Sequence, residues 1–374
     1  MTQAEGPFRL GIVLDPPLER WTSMEYVGEM LLDKLKGEHA VVATALQPNA
    51  PSIFGRVPGP GRSAGHRLDR FAARCVIYPI GVALQRNHFD AFHIVDHSYS
   101  HVVHSLPVHR TGIFCHDLDA LRPLFSRPYS SVHLRVLARS ILRALERAAL
   151  VFHSTCEVRN EIVAKGILDE RKLVHAPYGV APEFFPSTEP NPEFDNQFPH
   201  GPLLLYVGSD VPRKRVDLLL RSYALVCAQE SETRLVIAGG PLAHENEVLL
   251  KHLGLSSRVI QFPTLKRSAL AYFYRRADLL IAPSLREGFG LPVIEALACA
   301  TRVLATDIPV FREVGGQAAA YVASAEPDDW AKAILHLLND DHAGPSRQAR
   351  LAQAALFTWS RHAKTILAAY RGIG

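Results

Sequence analysis

At 374 residues the chain exceeds the size at which a single hydrophobic core keeps growing, so two domains of similar size are expected. Hydrophobic residues at 48% and charged residues at 21% exclude a long disordered tract, and a net charge of +4 is too mild to mark a nucleic-acid-binding surface. No window approaches the roughly 20 apolar residues that span a bilayer, and MTQAEGPFRL lacks the basic and apolar regions of a signal peptide, so a cytoplasmic protein is expected.

Short apolar runs bounded by turn residues alternate with helical patterns, the signature of parallel sheets built from βαβ units. In the first half the strand candidates are FRLGIVLD, HAVVATAL, AFHIVD, TGIFCHD, ALVFHS and KLVHAP. The fourth of these ends in His116 and Asp117; a lone histidine after a strand is more often a satisfied structural residue. Asp117 and Asp119 spell DxD, a metal-binding pattern in some sugar-transferring enzymes, but the triplet is common by chance and no metal is expected. Leu134 to Ala149 reads as a helix carrying Arg135, Arg139, Arg143 and Arg147 four apart. This stripe is either a solvated face or a contact for anionic lipid headgroups or a polyprenyl diphosphate acceptor at a membrane surface. The cysteines, Cys75, Cys115, Cys156, Cys227 and Cys299, form no CxxC pair and are expected as buried thiols of a reducing compartment.

PSTEPNPEFDNQFPHGP carries five prolines and no periodicity, so residues 186–202 are expected to link a first domain, residues 1–185, to a second, residues 203–355. Strand candidates in the second half are PLLLYVGS, TRLVIAGG, RVIQF, DLLIAPS, TRVLATD and AAYVA. After the first of them comes Ser209-Asp210-Val211-Pro212-Arg213-Lys214-Arg215, a cluster of cations at a strand end. Such a cluster suits a diphosphate and reads equally as a solvated basic turn. After DLLIAPS comes Arg286-Glu287-Gly288-Phe289-Gly290-Leu291-Pro292-Val293-Ile294-Glu295. Here two glycines let the backbone approach a ligand, and Pro292 opens a helix whose free amides favour an anion. Carboxylates do not attract diphosphate, so Glu287 and Glu295 are expected to accept hydrogen bonds from sugar hydroxyls. Residues 356–374 read as a final helix.

Two glutamates separated by seven residues in an EGFGLPxxEA-like stretch resemble the family 4 retaining glycosyltransferases, of the group 1 glycosyl transferases. The resemblance implies two Rossmann-like domains facing across a cleft, the GT-B fold, with the C-terminal helix crossing back to the first domain. It implies that Glu287 contacts the donor sugar and that the amides around Phe289, Gly290 and Leu291 contact sugar and phosphate. By the same resemblance Glu295 binds the nucleotide ribose, Arg213 and Lys214 hold the diphosphate, and His116 lies beside the donor sugar near its anomeric carbon. Pro177-Tyr178-Gly179-Val180, Phe311 to Gly316 and Phe357-Thr358-Trp359 extend the match. Departures are Ser209, where an arginine is common, the loop DPPLERWTSMEYVGEM after the first strand, and Ala300 and Arg302 in a usual ACGTPV stretch.

The activity so implied is metal-independent, retaining transfer of a sugar, mannose being the expected one, from a nucleotide diphosphate sugar. That donor is a co-substrate, and no other cofactor is implied. A saccharide or lipid-linked acceptor of envelope or extracellular polysaccharide synthesis is expected. The alternative is a sugar-nucleotide-binding or scaffolding protein of the same fold without transfer activity. A nicotinamide oxidoreductase is disfavoured because no GxGxxG follows an early strand with an acidic residue near position +20.

Overall fold

The computed structural model describes residues 6–16, 22–38, 40–49, 62–125, 132–189, 194, 201–340 and 342–373. Most of the expected linker, residues 190–193 and 195–200, and Trp21 of the first loop lie outside the described residues.

Each of the twelve apolar runs forms a strand, and the strands assemble into two parallel six-stranded sheets. The first sheet contains β1 (Phe8–Val13), β2 (Val41–Leu46), β3 (Ala91–Ile94), β4 (Thr111–Cys115), β5 (Leu150–His153) and β6 (Leu173–His175), in the spatial order β2-β1-β3-β4-β5-β6. Central strands β3, β4 and β5 are buried at every position, as expected where helices cover both faces. Edge strands β2 and β6 are half exposed. The second sheet contains β7 (Leu203–Val207), β8 (Arg234–Ala238), β9 (Val259–Phe262), β10 (Leu279–Ala282), β11 (Arg302–Thr306) and β12 (Ala320–Val322), in the order β12-β11-β10-β7-β8-β9. Counted from its own first strand, this is the 3-2-1-4-5-6 order of doubly wound dinucleotide-binding sheets.

The chain divides into two compact units, one made of residues 1–179 and 359–374 and the other of Val180–Thr358. The first unit therefore contains the C-terminal helix Trp359–Arg371. Tyr370 fastens that helix to the sheet: its hydroxyl donates to the Phe92 carbonyl at 2.8 Å and lies 3.0 Å from Nδ1 of His93. Gly112 of β4 explains the closeness, since a Cβ there would run into the Tyr370 hydroxyl and lie 2.7 Å from the Phe152 ring. Phe357 and Thr358 precede this helix, and Thr358 bridges to Val180 within the second unit.

Buried Tyr78, Phe92, Tyr99, Val102 and Ile113 belong to the core of the first unit, and Leu204, Tyr206, Leu219, Tyr223 and Trp330 to that of the second. Two thiols depart from the expectation of burial: Cys75 and Cys156 are exposed. Both sit on helices, where sequence spacing alone does not fix which face meets the sheet.

Candidate functional site

In open α/β sheets, ligands bind outside the strand C-termini where the strand order reverses. In the second sheet that point lies between β7 and β10, and the basic turn and the glycine loop are the segments that follow these two strands. The backbone ties the segments together, for the Leu285 amide donates to the Arg213 carbonyl at 2.8 Å. In return the Arg213 guanidinium donates to the Arg286 carbonyl at 3.0 Å.

Glu287 is the hub of this end of the sheet. One carboxylate oxygen lies 2.5 Å from Nζ of Lys214 and the other 3.1 Å from Nη1 of Arg213, with the glutamate side chain only 9% exposed. Burial alone raises a carboxyl pKa, but Lys214 and Arg213 outweigh it and hold Glu287 below the ordinary carboxylate range. Two cations on one carboxylate leave one positive charge for an incoming anion. Arg215 takes no part in this cluster; it adopts a left-handed conformation at φ 53° and pairs with Asp217 at 3.1 Å. Asp210 braces the neighbouring loop, accepting from the Ala243 amide at 2.8 Å and the Asn246 side chain at 2.9 Å.

The helix Leu291–Ala298 begins beside this cluster in sequence. Its N-cap is Gly290 at φ 95°, so no side chain caps its first amides, and a Cβ at Gly290 would lie 2.9 Å from the Phe311 ring. Both constraints select glycine there. Phe289 is buried edge-on against Phe357, with centroids 5.7 Å apart, and so fixes the loop, while Leu291 is half buried.

Glu295, on the second turn of that helix, has different surroundings. It is buried and accepts a hydrogen bond from the Tyr274 hydroxyl at 2.8 Å. Burial pushes its carboxyl up to about 7, against the pull of Tyr274. Glu183 and Arg267, themselves paired at 3.3 Å, are the charged groups that influence it. Thus Arg213, Lys214 and Glu287 form one cluster, and Glu295 stands apart on tyrosine.

His116 lies in the first unit, at the end of β4. Its Nε2 is 2.7 Å from the Val95 carbonyl and its Nδ1 meets the Tyr178 hydroxyl. A carbonyl only accepts, so Nε2 carries the proton and Nδ1 accepts from tyrosine. Burial lowers the imidazole pKa, in keeping with this neutral tautomer, although Asp96 opposes the shift. The ring also stacks on Phe114, with centroids 4.9 Å apart. Of the DxD residues, Asp117 accepts from the Asp119 amide at 2.9 Å and Asp119 pairs with Arg122 at 2.6 Å.

Tyr274, Ser284, Asp96 and Tyr178 were not among the expected site residues. Ser284, the other hydrogen-bond partner of Glu287, sits three residues before it, and Tyr178 lies in the noted PYGV segment. The sequence offers no spacing signal that pairs Tyr274 with Glu295, 21 residues away.

Two Rossmann-like domains, with ionic groups gathered where the second sheet reverses order, define the GT-B class of fold. Solved structures of that fold superpose on nearly the whole chain. Sucrose-phosphate synthase from Thermosynechococcus elongatus matches with a TM-score of 0.71 at 19% identity, covering 98% of this chain and 99% of its own. HepE of Anabaena, solved with UDP and glucose, matches with a TM-score of 0.72 at 13% identity, covering 98% and 100%. Residues 189–356 match the family described as Glycosyl transferases group 1. A D-inositol 3-phosphate glycosyltransferase of Mycolicibacterium smegmatis is 37% identical over 177 residues, 45% of this chain and 39% of that protein. Its counterpart in Rhodococcus opacus is 34% identical over 188 residues, 46% of this chain and 41% of that one. The matched region therefore spans about two fifths of these curated relatives.

Proposed function

We propose that the protein is a family 4 glycosyltransferase that moves a hexose from a nucleotide diphosphate sugar to a saccharide or lipid-linked acceptor with retention of anomeric configuration. The observation that carries this reading is the Arg213, Lys214 and Glu287 cluster at the reversal point of the second sheet. The two cations and the glycine-capped helix start oppose the charge that develops on a departing diphosphate. Glu287 fixes those cations and offers its carboxylate to sugar hydroxyls, and Glu295 accepts from the ribose. A phosphate oxygen of the leaving group takes the proton of the attacking hydroxyl, so the reading needs no metal.

Donor turnover by the purified protein tests it, first with UDP-sugars, because HepE is solved with UDP-glucose, then with GDP-mannose, the sugar expected from the sequence. Sugar release or transfer that survives EDTA, with product of the donor's anomeric configuration, is expected. Manganese-dependent turnover would return Asp117 and Asp119 to consideration.

A second reading is a protein of the same fold that binds a sugar nucleotide without transferring it. The occupied hydrogen bonds of His116 and the serine at position 209 favour it. Nucleotide-sugar binding without hydrolysis or transfer across the same panel would establish it.

A further inference from the structure

Residues 62–83 form one continuous helical rod: an α-helical stretch Arg62–Ala72, a π-helical turn Ala73–Ile77 and a second α-helical stretch Tyr78–Ala83. Within the π turn the Tyr78 amide donates to the Ala73 carbonyl five residues back. The wide turn immediately precedes Pro79, which has no amide to donate and whose ring crowds the preceding turn. It also adds one residue to the helical period. On the inner face Asp69, Ala73, Tyr78 and Val82 are buried at steps of four, five and four. On the opposite face the same insertion keeps Leu68, Phe71, Val76, Ile80 and, just past the end, Leu84 in line, at steps of three, five, four and four. These five side chains are 55%, 66%, 50%, 57% and 73% exposed, and exposed Cys75 lies among them. A stripe of that length is more than the scattered apolar residues of an ordinary surface.

The rod packs against the segment His97–Ser105, and so does the arginine-bearing helix Val132–Arg147. That second helix buries Ala138, Ile141, Ala144 and Leu145 and leaves Val132, Leu134, Val136 and Leu137 exposed at its start. Exposed Arg139, Arg143 and Arg147 follow, with Glu146 as the one acidic residue of the helix. Arg70 and Arg86 add exposed cations on and beyond the rod, whose single acidic residue, Asp69, is buried. Among the described residues no helix is long and apolar enough to cross a membrane. Exposed apolar side chains on one element, and exposed arginines on another that packs against the same segment, suit the boundary between anionic headgroups and acyl chains.

We propose that the rod of residues 62–84, set in phase by its π turn and sharing the segment His97–Ser105 with the arginine-bearing helix Val132–Arg147, lies on an anionic lipid bilayer through Leu68, Phe71, Val76, Ile80 and Leu84. This inference does not depend on the transfer reading, and its test uses no activity. The 374-residue chain is sedimented with vesicles of phosphatidylcholine alone and of phosphatidylcholine mixed with phosphatidylglycerol. Binding to the anionic vesicles only is expected, weakening with added salt. F71S and L84S change exposed side chains, so folding should be intact by circular dichroism. Each should weaken partitioning by about tenfold, the order set by burying such a side chain. R139Q/R143Q should weaken it on anionic vesicles by a similar factor, about tenfold for two cations at about 1 kcal/mol each, less screening. Equal sedimentation with both vesicle types, or unchanged binding by F71S and L84S, would overturn the proposal. So would failure to bind vesicles combined with a concentration-dependent dimer that F71S abolishes, which would assign the stripe to a second copy of the chain.

Discussion

At the C-terminal ends of β7 and β10, few ionisable groups meet, and they meet as a partly exposed, compensated cluster. Arg213 is 27% exposed, and Glu287 holds it and Lys214 by contacts that a ligand oxygen can replace. At the ends of β3 and β4 the groups are more numerous and sealed. Asp96, His97, His116 and Tyr178 are all buried, and His116 has spent both ring nitrogens on Tyr178 and Val95. On the proposed reading the first arrangement receives an anion; the second must exchange an internal hydrogen bond before it touches a ligand. Ionisable groups that follow strands of similar kind thus differ in how far solvent reaches them.

The largest expected effect probes the exposed cluster. Lys214→Ala removes the closest partner of Glu287 and, on the proposed reading, a cation for the leaving diphosphate. Donor kcat/KM should fall by about 10² to 10³, the loss typical of one preorganised charge-stabilising donor. Steady-state rates on variant confirmed folded by circular dichroism are the measurement, and a loss under threefold would remove Lys214 from the site.

Glu287→Ala should lower kcat by about tenfold to a hundredfold, because it misplaces the sugar and frees both cations from their fixed positions. Affinity for free nucleoside diphosphate should not weaken, since a negative charge has left the phosphate site. Calorimetric titration with UDP or GDP beside the kinetics separates the two effects. Weaker diphosphate binding with unchanged kcat would contradict the cation-holding role.

Glu295→Ala should instead raise the donor KM by about tenfold to a hundredfold with less change at saturation, as for a lost hydrogen bond to a charged group. The same residue predicts a pH dependence of stability. Its carboxyl is held at about 7 in the fold against an ordinary 4.5. Between those values the folded state keeps a proton that the unfolded state has lost, so this contribution is intact below about 4.5 and fades as pH rises through about 7. The integrated effect is about 3 kcal/mol at most. Urea unfolding of the parent and of Glu295→Gln between pH 4.5 and 8 measures it, and the variant should lose that part of the slope. Parallel curves would show that the burial of Glu295 is relieved by solvent.

The smallest expected effect lies at the sealed end. Tyr178→Phe leaves Nδ1 of His116 without its hydroxyl donor and should cost about 1 kcal/mol of stability by chemical denaturation. If His116 must release Tyr178 to reach a donor sugar, the variant should turn over no more slowly than the parent. A large loss of kcat would instead mark the tyrosine as the means by which the imidazole is oriented.

Each apolar run was legible as a strand, because a strand buried on both faces must be apolar throughout and short, and its turn residues bound it. The basic turn and the glycine loop stood out as candidate ligand-binding segments for a local reason too: Gly290, Pro292 and the adjacent cations act through backbone geometry and charge within one stretch of chain. Strand order was not legible, and strand order is what brings Arg213 and Glu287, 74 residues apart, to a single point. Nor were the tyrosines that donate to Glu295 and His116, since a hydroxyl's partner across 21 or 62 residues leaves no periodic trace. The exposed stripe of residues 68–84 escaped for a related reason. Its spacing breaks the 3.6-residue period at one π turn, and only the folded backbone, with Tyr78 bonded to Ala73, restores the face that the sequence scatters.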